Sequence, residues 1–202
     1  VQSGVDVAKI ELIDAFSAEV SNAFLDTDLP NAPMVFVEFH ANHGIEEEIA
    51  FCRSVFEAHD VRRFEVSDDD DEMSELWEAR RELAEAFEPY DPALSPLTPG
   101  DITVPISNYT DIINYAKDLG DEHGVPVACF GHAGDGNVHY FVMVDPDDPD
   151  SVAAGETVST KLIHRAIDLG GTATGEHGVG LGKQEYLAEE YNEATVEAMR
   201  TI

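Results

Sequence analysis

Positive charge is the scarcest property of this 202-residue sequence, which has 11 lysines and arginines against 42 aspartates and glutamates and a formal net charge of −31 at pH 7. Such a surface repels nucleic acids and anionic membranes, so we expect neither as a partner. The acidic residues are spread along the whole chain, which argues against a dedicated docking patch. Because salt screens self-repulsion, this pattern predicts a halophilic protein.

Cysteines and long apolar runs are also rare. The two cysteines, Cys52 and Cys129, each lie in an apolar run, so we expect buried free thiols and a reducing, cytoplasmic location. No apolar stretch approaches the roughly 20 residues of a membrane span, and no secretory signal is present. The sequence begins at Val1 without a methionine and ends inside a helical pattern, so we expect it to be part of a larger protein.

Apolar periodicity predicts an α+β fold, in which helices pack on a largely antiparallel sheet. The apolar content of 43% suffices for one substantial core or two small ones. Strands are expected at residues 7–13, 34–40, 62–66, 101–105, 125–130 and 138–144. Helices are expected at residues 17–25, 44–59, 70–87, 108–123, 153–169 and from residue 183 onward.

The most informative motif is GHAGDGNVH at residues 131–139. Asp135 and Gly136, between two β-type runs, predict a two-residue hairpin turn. In that register His132 lies directly opposite His139, with Cβ atoms roughly 5 Å apart. Two imidazoles held in this way can share a metal ion, and the alternative is a hairpin whose histidines are simply half buried.

A second glycine-rich motif, GEHGVGLG at residues 175–182, supplies a carboxylate and another imidazole. Glycine at this density indicates positive φ angles or a close approach of the backbone to a ligand. Together with His132 and His139, Glu176 completes a set of two histidines and one carboxylate. This set is typical of a catalytic Zn²⁺, Mn²⁺ or Fe²⁺ site, and the spacing does not choose among these metals.

Arg80 interrupts the apolar stripe of the helix expected at residues 70–87. A guanidinium on a buried face needs a partner, because a lone buried charge is costly. One interpretation is a structural salt bridge with one of the many carboxylates. The other is an anion hook that grips a substrate carboxylate in a bidentate fork.

The motifs at residues 131–139 and 170–183 resemble the paired signatures of the C-terminal domain of FAD-linked oxidases that act on D-2-hydroxy acids. This family includes the cytochrome-type D-lactate dehydrogenases, the flavin subunit of glycolate oxidase and D-2-hydroxyglutarate dehydrogenase. The resemblance extends through WEAR at residues 77–80 and DITVP at residues 101–105, in the same order, and covers nearly the whole chain. It implies a ferredoxin-like cap domain spanning residues 1–202.

The resemblance also implies a role for each candidate residue. His132, His139 and Glu176 match the metal ligands, Arg80 matches the arginine that holds the substrate carboxylate, and His177 matches the proposed catalytic base. In the implied mechanism the metal lowers the pKa of the substrate hydroxyl. His177 then takes the hydroxyl proton while hydride passes from Cα to the flavin.

The family holds FAD mainly in a separate N-terminal domain, and no FAD-binding motif occurs in this sequence. We therefore expect that domain as a partner and expect this chain alone to be inactive. The electron acceptor is not identified by the sequence, and it could hold the enzyme at a membrane surface.

The sequence also bears on the substrate. Phe141 replaces an asparagine of some hydroxyglutarate enzymes, and no lysine is close to Asp101 in sequence. Both features favour a monocarboxylate such as D-lactate or glycolate.

Two interpretations of another class stay open. The chain could be a metal-binding module without redox function, in which His132, His139 and Glu176 have a structural role. The net charge alone motivates an acidic interaction domain. The open glycines and Arg80 favour catalysis, because a structural metal site closes its fourth position with another protein ligand.

Overall fold

A computed structural model describes residues 4–202, so the first three residues of the expected domain lie outside the described part. The strands are β1 (Lys9–Ile13), β2 (Met34–Glu38), β3 (Ser95–Pro96), β4 (Gly100–Thr103), β5 (Val127–His132) and β6 (Asn137–Val144). The helices are α1 (Ala15–Leu25), α2 (Ile45–Glu57), α3 (Asp70–Arg81), α4 (Leu83–Ala86), α5 (Tyr109–His123), α6 (Pro149–Asp168), α7 (Leu187–Glu190) and α8 (Glu193–Thr201).

The strands form one antiparallel sheet in the order β2-β1-β5-β6, and β3 and β4 share the other edge of β6. The expected α+β class is confirmed. β4, α5 and β5 form a split βαβ unit, because β6 lies between the two parallel strands. After α6, Thr172 makes a single antiparallel bridge to Thr103 of β4, so the last strand of a ferredoxin-like unit is reduced to one residue.

Helices cover both faces of the sheet. On one face, Cys129, Tyr140 and Val142 pack beneath α5 and α6. On the other face, Phe130 and Phe141 pack against Phe87, whose ring is stacked 4.7 Å from that of Phe141. Since side chains alternate along a strand, the residues that share a face with Phe130 and Phe141 are also the candidate site residues of β5 and β6.

Asp14 ties three elements together although its side chain is almost fully buried. Its carboxylate caps α1 by accepting the N–H of Ser17 (2.7 Å) and also accepts the N–H of Cys129 in β5 (2.8 Å). Lys117 of α5 forms an ion pair with the same carboxylate. This cluster fixes α1 and α5 against the edge of β5 from opposite faces.

Three sequence-based expectations about elements are wrong. Residues 62–66 form no strand; Phe64 instead lies beneath the guanidinium of Arg53 (4.3 Å to the ring). The helix expected at residues 70–87 is interrupted at Glu82, which caps α3 and precedes α4. The last helix is broken at Tyr191, whose backbone is extended, and restarts where Asn192 caps α8.

The expected two-residue turn of the hairpin is also wrong, because His139 pairs with Phe130 instead of His132. Four residues, 133–136, lie between the strands. Gly136 has a φ of 76°, and a Cβ there would lie 2.0 Å from the carbonyl oxygen of Val104. Because residue 136 has no side chain, the hairpin loop can pack closely against the backbone of Val104, which directly follows β4. His132 lies diagonal to His139, on the same face of the sheet.

Cys52 and Cys129 are buried free thiols, as expected. Within residues 4–202, none of the helices is long and apolar enough to cross a membrane.

Replacing Asp14 by Asn should lower the free energy of unfolding by about 2–3 kcal/mol, because the variant loses the ion pair and one of two charged hydrogen bonds in a buried place. Urea unfolding followed by circular dichroism measures the change. Asp28→Asn, at an exposed position, is the control and should change the free energy of unfolding by less than about 0.5 kcal/mol. Equal effects of the two substitutions would contradict the tethering role of Asp14.

Candidate active site

Three imidazoles and a carboxylate converge at the end of the β5–β6 hairpin. Nε2 of His139 lies 3.0 Å, and Nε2 of His132 3.4 Å, from the same oxygen of Glu176. The ring of His177 stacks on that of His139, with centroids 5.1 Å apart and planes 14° apart. His132 and His139 belong to the sheet, whereas Glu176 and His177 belong to the glycine-rich loop between α6 and α7.

His132 is oriented by Glu11 of β1, which lies opposite it in the sheet. Nδ1 of His132 lies 2.6 Å from Oε1 of Glu11, and this hydrogen bond raises the pKa of His132 above its ordinary value. Burial pulls the pKa of Glu11 upward, but the hydrogen bond with His132 and the charge of Arg80 outweigh it and hold that pKa below the usual range. The pair leaves Nε2 of His132 directed at Glu176.

His139 is the most buried imidazole of the site, with 9% of its side chain exposed. Burial lowers its pKa to about 4, against the opposing charges of Asp101 and Glu176, so the ring is neutral near pH 7. Its Nδ1 lies 3.7 Å from Asp101 and makes no hydrogen bond to any described residue. A neutral imidazole is the form that binds a metal ion.

Asp101 of β4 connects the sheet to the glycine-rich loop. Its Oδ2 accepts the backbone N–H groups of Glu176 (2.8 Å) and His177 (2.9 Å), and its Oδ1 accepts the amide of Asn137 (2.7 Å). Burial would raise the pKa of Asp101, but these hydrogen bonds outweigh burial and hold it below its usual range. Lys183 donates to the backbone carbonyl of Asp101 from the far end of the loop.

The donor set fits a divalent metal. One ligand atom each from His132, His139 and Glu176 lies within 4.8 Å of the others, and two imidazole nitrogens with one carboxylate oxygen suit Zn²⁺, Mn²⁺ or Fe²⁺. The Glu11–His132 pair is the carboxylate support that metal-bound histidines commonly have. Asp101, His139 and His177 form a second possible set. It is less suitable, because the oxygens of Asp101 already accept three N–H groups.

Arg80 has the carboxylate partner that one interpretation of its sequence position requires. Its Nε and Nη2 each lie 3.0 Å from Oε2 of Glu11, so the structural salt bridge exists. The guanidinium also lies over the ring of Phe130, 4.9 Å from its centroid. It keeps 12% of its side chain exposed and borders a cavity of about 400 Å³ that it shares with His132 and Trp77. The anion hook remains a prediction.

The fold brings together all five candidate residues named from the sequence: Arg80, His132, His139, Glu176 and His177. Sequence reasoning missed the two buried carboxylates that orient them, Glu11 and Asp101. Glu11 could have been noticed, because it occupies the same face of a short apolar strand as Ile13. Asp101 gives no such signal, because its partners are 36 to 76 residues away along the chain.

Comparison with known proteins gives a family match over the whole chain. The family described as FAD linked oxidases, C-terminal domain, matches residues 1–202. The mitochondrial D-lactate dehydrogenase [cytochrome] of Kluyveromyces lactis is 34% identical over 211 residues, covering 100% of this chain and 36% of that protein. The glycolate oxidase subunit GlcD of Bacillus subtilis is 30% identical over 199 residues, covering 96% of this chain and 42% of that protein.

A solved structure has the same fold. The 4-ethylphenol oxidase of Gulosibacter chungangensis, in its isoeugenol complex, superposes with a TM-score of 0.60 over 96% of this chain and 43% of that chain, at 15% identity. At this identity the likeness concerns the fold alone. The chain spans 36% to 42% of the length of the two curated relatives described above.

Metal affinity should fall as the pH is lowered through the raised pKa of His132, because protonation of Nε2 competes with the metal. His139, with a pKa of about 4, should not limit binding in that range. Glu11→Gln removes the negative charge that helps to raise the pKa of His132, so the pH midpoint for Co²⁺ binding should move to lower pH. Titration with Co²⁺ between pH 5 and pH 8 measures both curves.

The same titration tests the ligand assignment. His139→Ala should abolish stoichiometric metal binding, whereas His164→Ala, which changes a histidine paired with Glu189 on α7, should not affect it. Unchanged metal content in His139→Ala by elemental analysis would mean that the hairpin site is assigned wrongly.

Proposed function

This chain belongs to the FAD-linked oxidases as their C-terminal domain, and from that premise we propose that it is the substrate- and metal-binding part of an FAD-dependent oxidoreductase that converts a D-2-hydroxy acid to the 2-oxo acid. The observation that carries the proposal is the convergence of His132, His139, Glu176 and His177 beside the cavity bordered by Arg80. The relatives named as D-lactate dehydrogenases and a glycolate oxidase subunit support this reaction type.

Arg80 is proposed to bind the substrate carboxylate. Glu11 contacts Nε and Nη2 of the guanidinium. Among the described residues Nη1 has no hydrogen-bond partner, so it is the nitrogen proposed to contact the substrate carboxylate. The ion pair with Glu11 also holds the guanidinium in place over Phe130, so little side-chain freedom is lost when substrate binds. Trp77 lines the same cavity.

His177 is proposed to be the general base. Half of its side chain is exposed (51%), so its ring is accessible to a substrate, while its backbone N–H is anchored to Asp101. Nε2 of His177 lies 3.9 Å from Glu176, which leaves it able to accept the hydroxyl proton. A metal held by His132, His139 and Glu176 would lower the pKa of that hydroxyl, and FAD would accept the hydride from Cα.

FAD is proposed to be held mainly by a separate N-terminal domain. The sequence carries no dinucleotide-binding motif, and the relatives are more than twice as long as this chain. Glu176 and His177 each keep 51% of their side chains exposed, so the site is open on the side of the glycine-rich loop. An open side is what a site completed by a second domain requires, and this domain alone should be inactive.

The substrate is proposed to be a monocarboxylate, with D-lactate or glycolate favoured. Phe141 is 5% exposed and stacked on Phe87, so it presents no polar group to a second carboxylate. The fold does bring Lys183 to Asp101, but its ammonium group donates to the backbone carbonyls of Asp101 and Ala173 and is not directed to the cavity.

The activity test uses the full-length protein, reconstituted with FAD and a divalent metal in molar salt. Dye reduction with D-lactate and glycolate should exceed that with D-2-hydroxyglutarate. Absence of activity with every D-2-hydroxy acid, when FAD and metal are both bound, would contradict the proposed function and favour a metal-binding module without redox function.

Arg80→Met should lower kcat/KM about a hundredfold, equivalent to about 3 kcal/mol, because the substrate carboxylate loses its charged partner. Steady-state kinetics and a melting curve measure activity and folding together. Arg81→Met is the matched control, because Arg81 borders the same cavity on the exposed side of α3. Equal losses in both variants would mean that general positive charge, and not a direct contact of Arg80, attracts the substrate.

A further inference from the structure

The glycine-rich loop that carries Glu176 and His177 is attached to the sheet at few points. The residues from 175 to 183 form no helix or strand, and Gly178 and Gly180 both have positive φ angles. No periodic backbone hydrogen bonding can therefore hold Glu176 and His177 in position. The stability of their arrangement must come from individual contacts.

One carboxylate provides the contacts of the backbone N–H groups of both residues. The backbone N–H groups of Glu176 and His177 both donate to Oδ2 of Asp101, and the hydroxyl of Thr174 lies 3.4 Å from the same oxygen. Asp101 has no exposed surface, and its Oδ1 is held by the amide of Asn137. The loop is thus bound to an acceptor that is itself immobilised in the core of the sheet.

The close approach of the loop depends on Gly175. A Cβ at this position would lie 2.0 Å from Nδ2 of Asn137 and 2.6 Å from Oδ1 of Asp101. Any side chain at residue 175 would push the loop away from both groups. The absence of a side chain at residue 175 therefore lets two consecutive N–H groups reach one carboxylate oxygen.

The strand register links this anchor to the metal ligands. Asp101 of β4 lies opposite His139 of β6, and its Oδ1 is 3.7 Å from Nδ1 of His139. The negative charge favours the tautomer with the proton on Nδ1, which leaves the lone pair of Nε2 facing Glu176. One residue thus holds the loop and also lies beside the histidine that faces the loop.

We propose that Asp101 is a positioning residue, which sets the places of the third metal ligand, Glu176, and of the base, His177, relative to His139. The proposal rests on the proposed function for the roles of those residues. Asp101 itself touches no substrate, because it has no exposed surface. Its contribution is to hold the backbone of a dipeptide whose two side chains perform different tasks.

The test compares Asp101→Asn with Asp14→Asn in the full-length protein. Both substitutions remove a buried carboxylate that accepts two backbone N–H groups, but Asp14 lies away from the loop. In Asp101→Asn, amide hydrogen exchange in the peptide covering residues 173–183 should accelerate at least tenfold, and the dissociation constant for Co²⁺ should rise about 10- to 100-fold. Asp14→Asn should lower the melting temperature without either change.

Two further measurements separate positioning from general stability. Gly175→Ala keeps the Asp101 carboxylate and displaces the loop. It should therefore show the same faster exchange and weaker Co²⁺ binding as Asp101→Asn. This second variant keeps the test decisive if Asp101→Asn folds poorly. In the active holoenzyme, Asp101→Asn should lower kcat about 10- to 100-fold while KM for the hydroxy acid stays within about threefold, because Arg80 is unaffected.

The proposal is overturned if Asp101→Asn lowers the melting temperature as Asp14→Asn does, but leaves both the exchange of residues 173–183 and Co²⁺ binding unchanged. It is equally overturned if Gly175→Ala has the exchange pattern of the wild-type protein. The exchange measurement does not depend on activity. If the wild-type protein oxidises no hydroxy acid, the proposed function fails, while exchange still decides whether Asp101 holds the loop.

Discussion

The antiparallel register of β6 with β4 and β5 is the constraint on which the candidate site depends. On one edge His139 is opposite Phe130, and on the other it is opposite Asp101, while Glu11 of β1 is opposite His132 in β5. A shift of one residue in any of these pairings would turn the affected side chains to the opposite face of the sheet. The histidines and the carboxylates that orient them therefore meet because four strands agree in register.

The two buried carboxylates, Glu11 and Asp101, divide the support of the site between them. Glu11 binds both His132 and Arg80 and so connects the metal-ligand candidates to the cavity. Asp101 binds the backbone of Glu176 and His177 and so connects the sheet to the loop. Each acid is stabilised in its charged form by the groups that it orients. The free-energy cost of burying each carboxylate is therefore offset by the same hydrogen bonds and charges that position its partners.

The fold class and the candidate site residues follow from local sequence patterns, whereas the geometry around these residues follows from contacts between distant segments. The motif GHAGDGNVH identified both hairpin histidines, but its Asp-Gly pair led to the wrong register, because Gly136 serves a contact with Val104 that no local pattern reveals. Arg80 stood out as a charge on an apolar stripe. Its partner Glu11 lies 69 residues away, so the sequence could predict the need for a partner but not its identity.

The distribution of cations has a consequence for how an anion reaches the cavity beside the candidate site. Three of the eleven basic residues of the chain, Lys9, Arg80 and Arg81, border the cavity beside the site, whereas the molecule as a whole carries a formal charge of −31. At low ionic strength an anion would be repelled at long range by this net charge and would meet these three cations only within the cavity. Salt screens the long-range field first, because distant charges are screened more than those in contact. Encounter with an anion should therefore become faster as salt is added, the reverse of the dependence in proteins that attract their ligands from a distance.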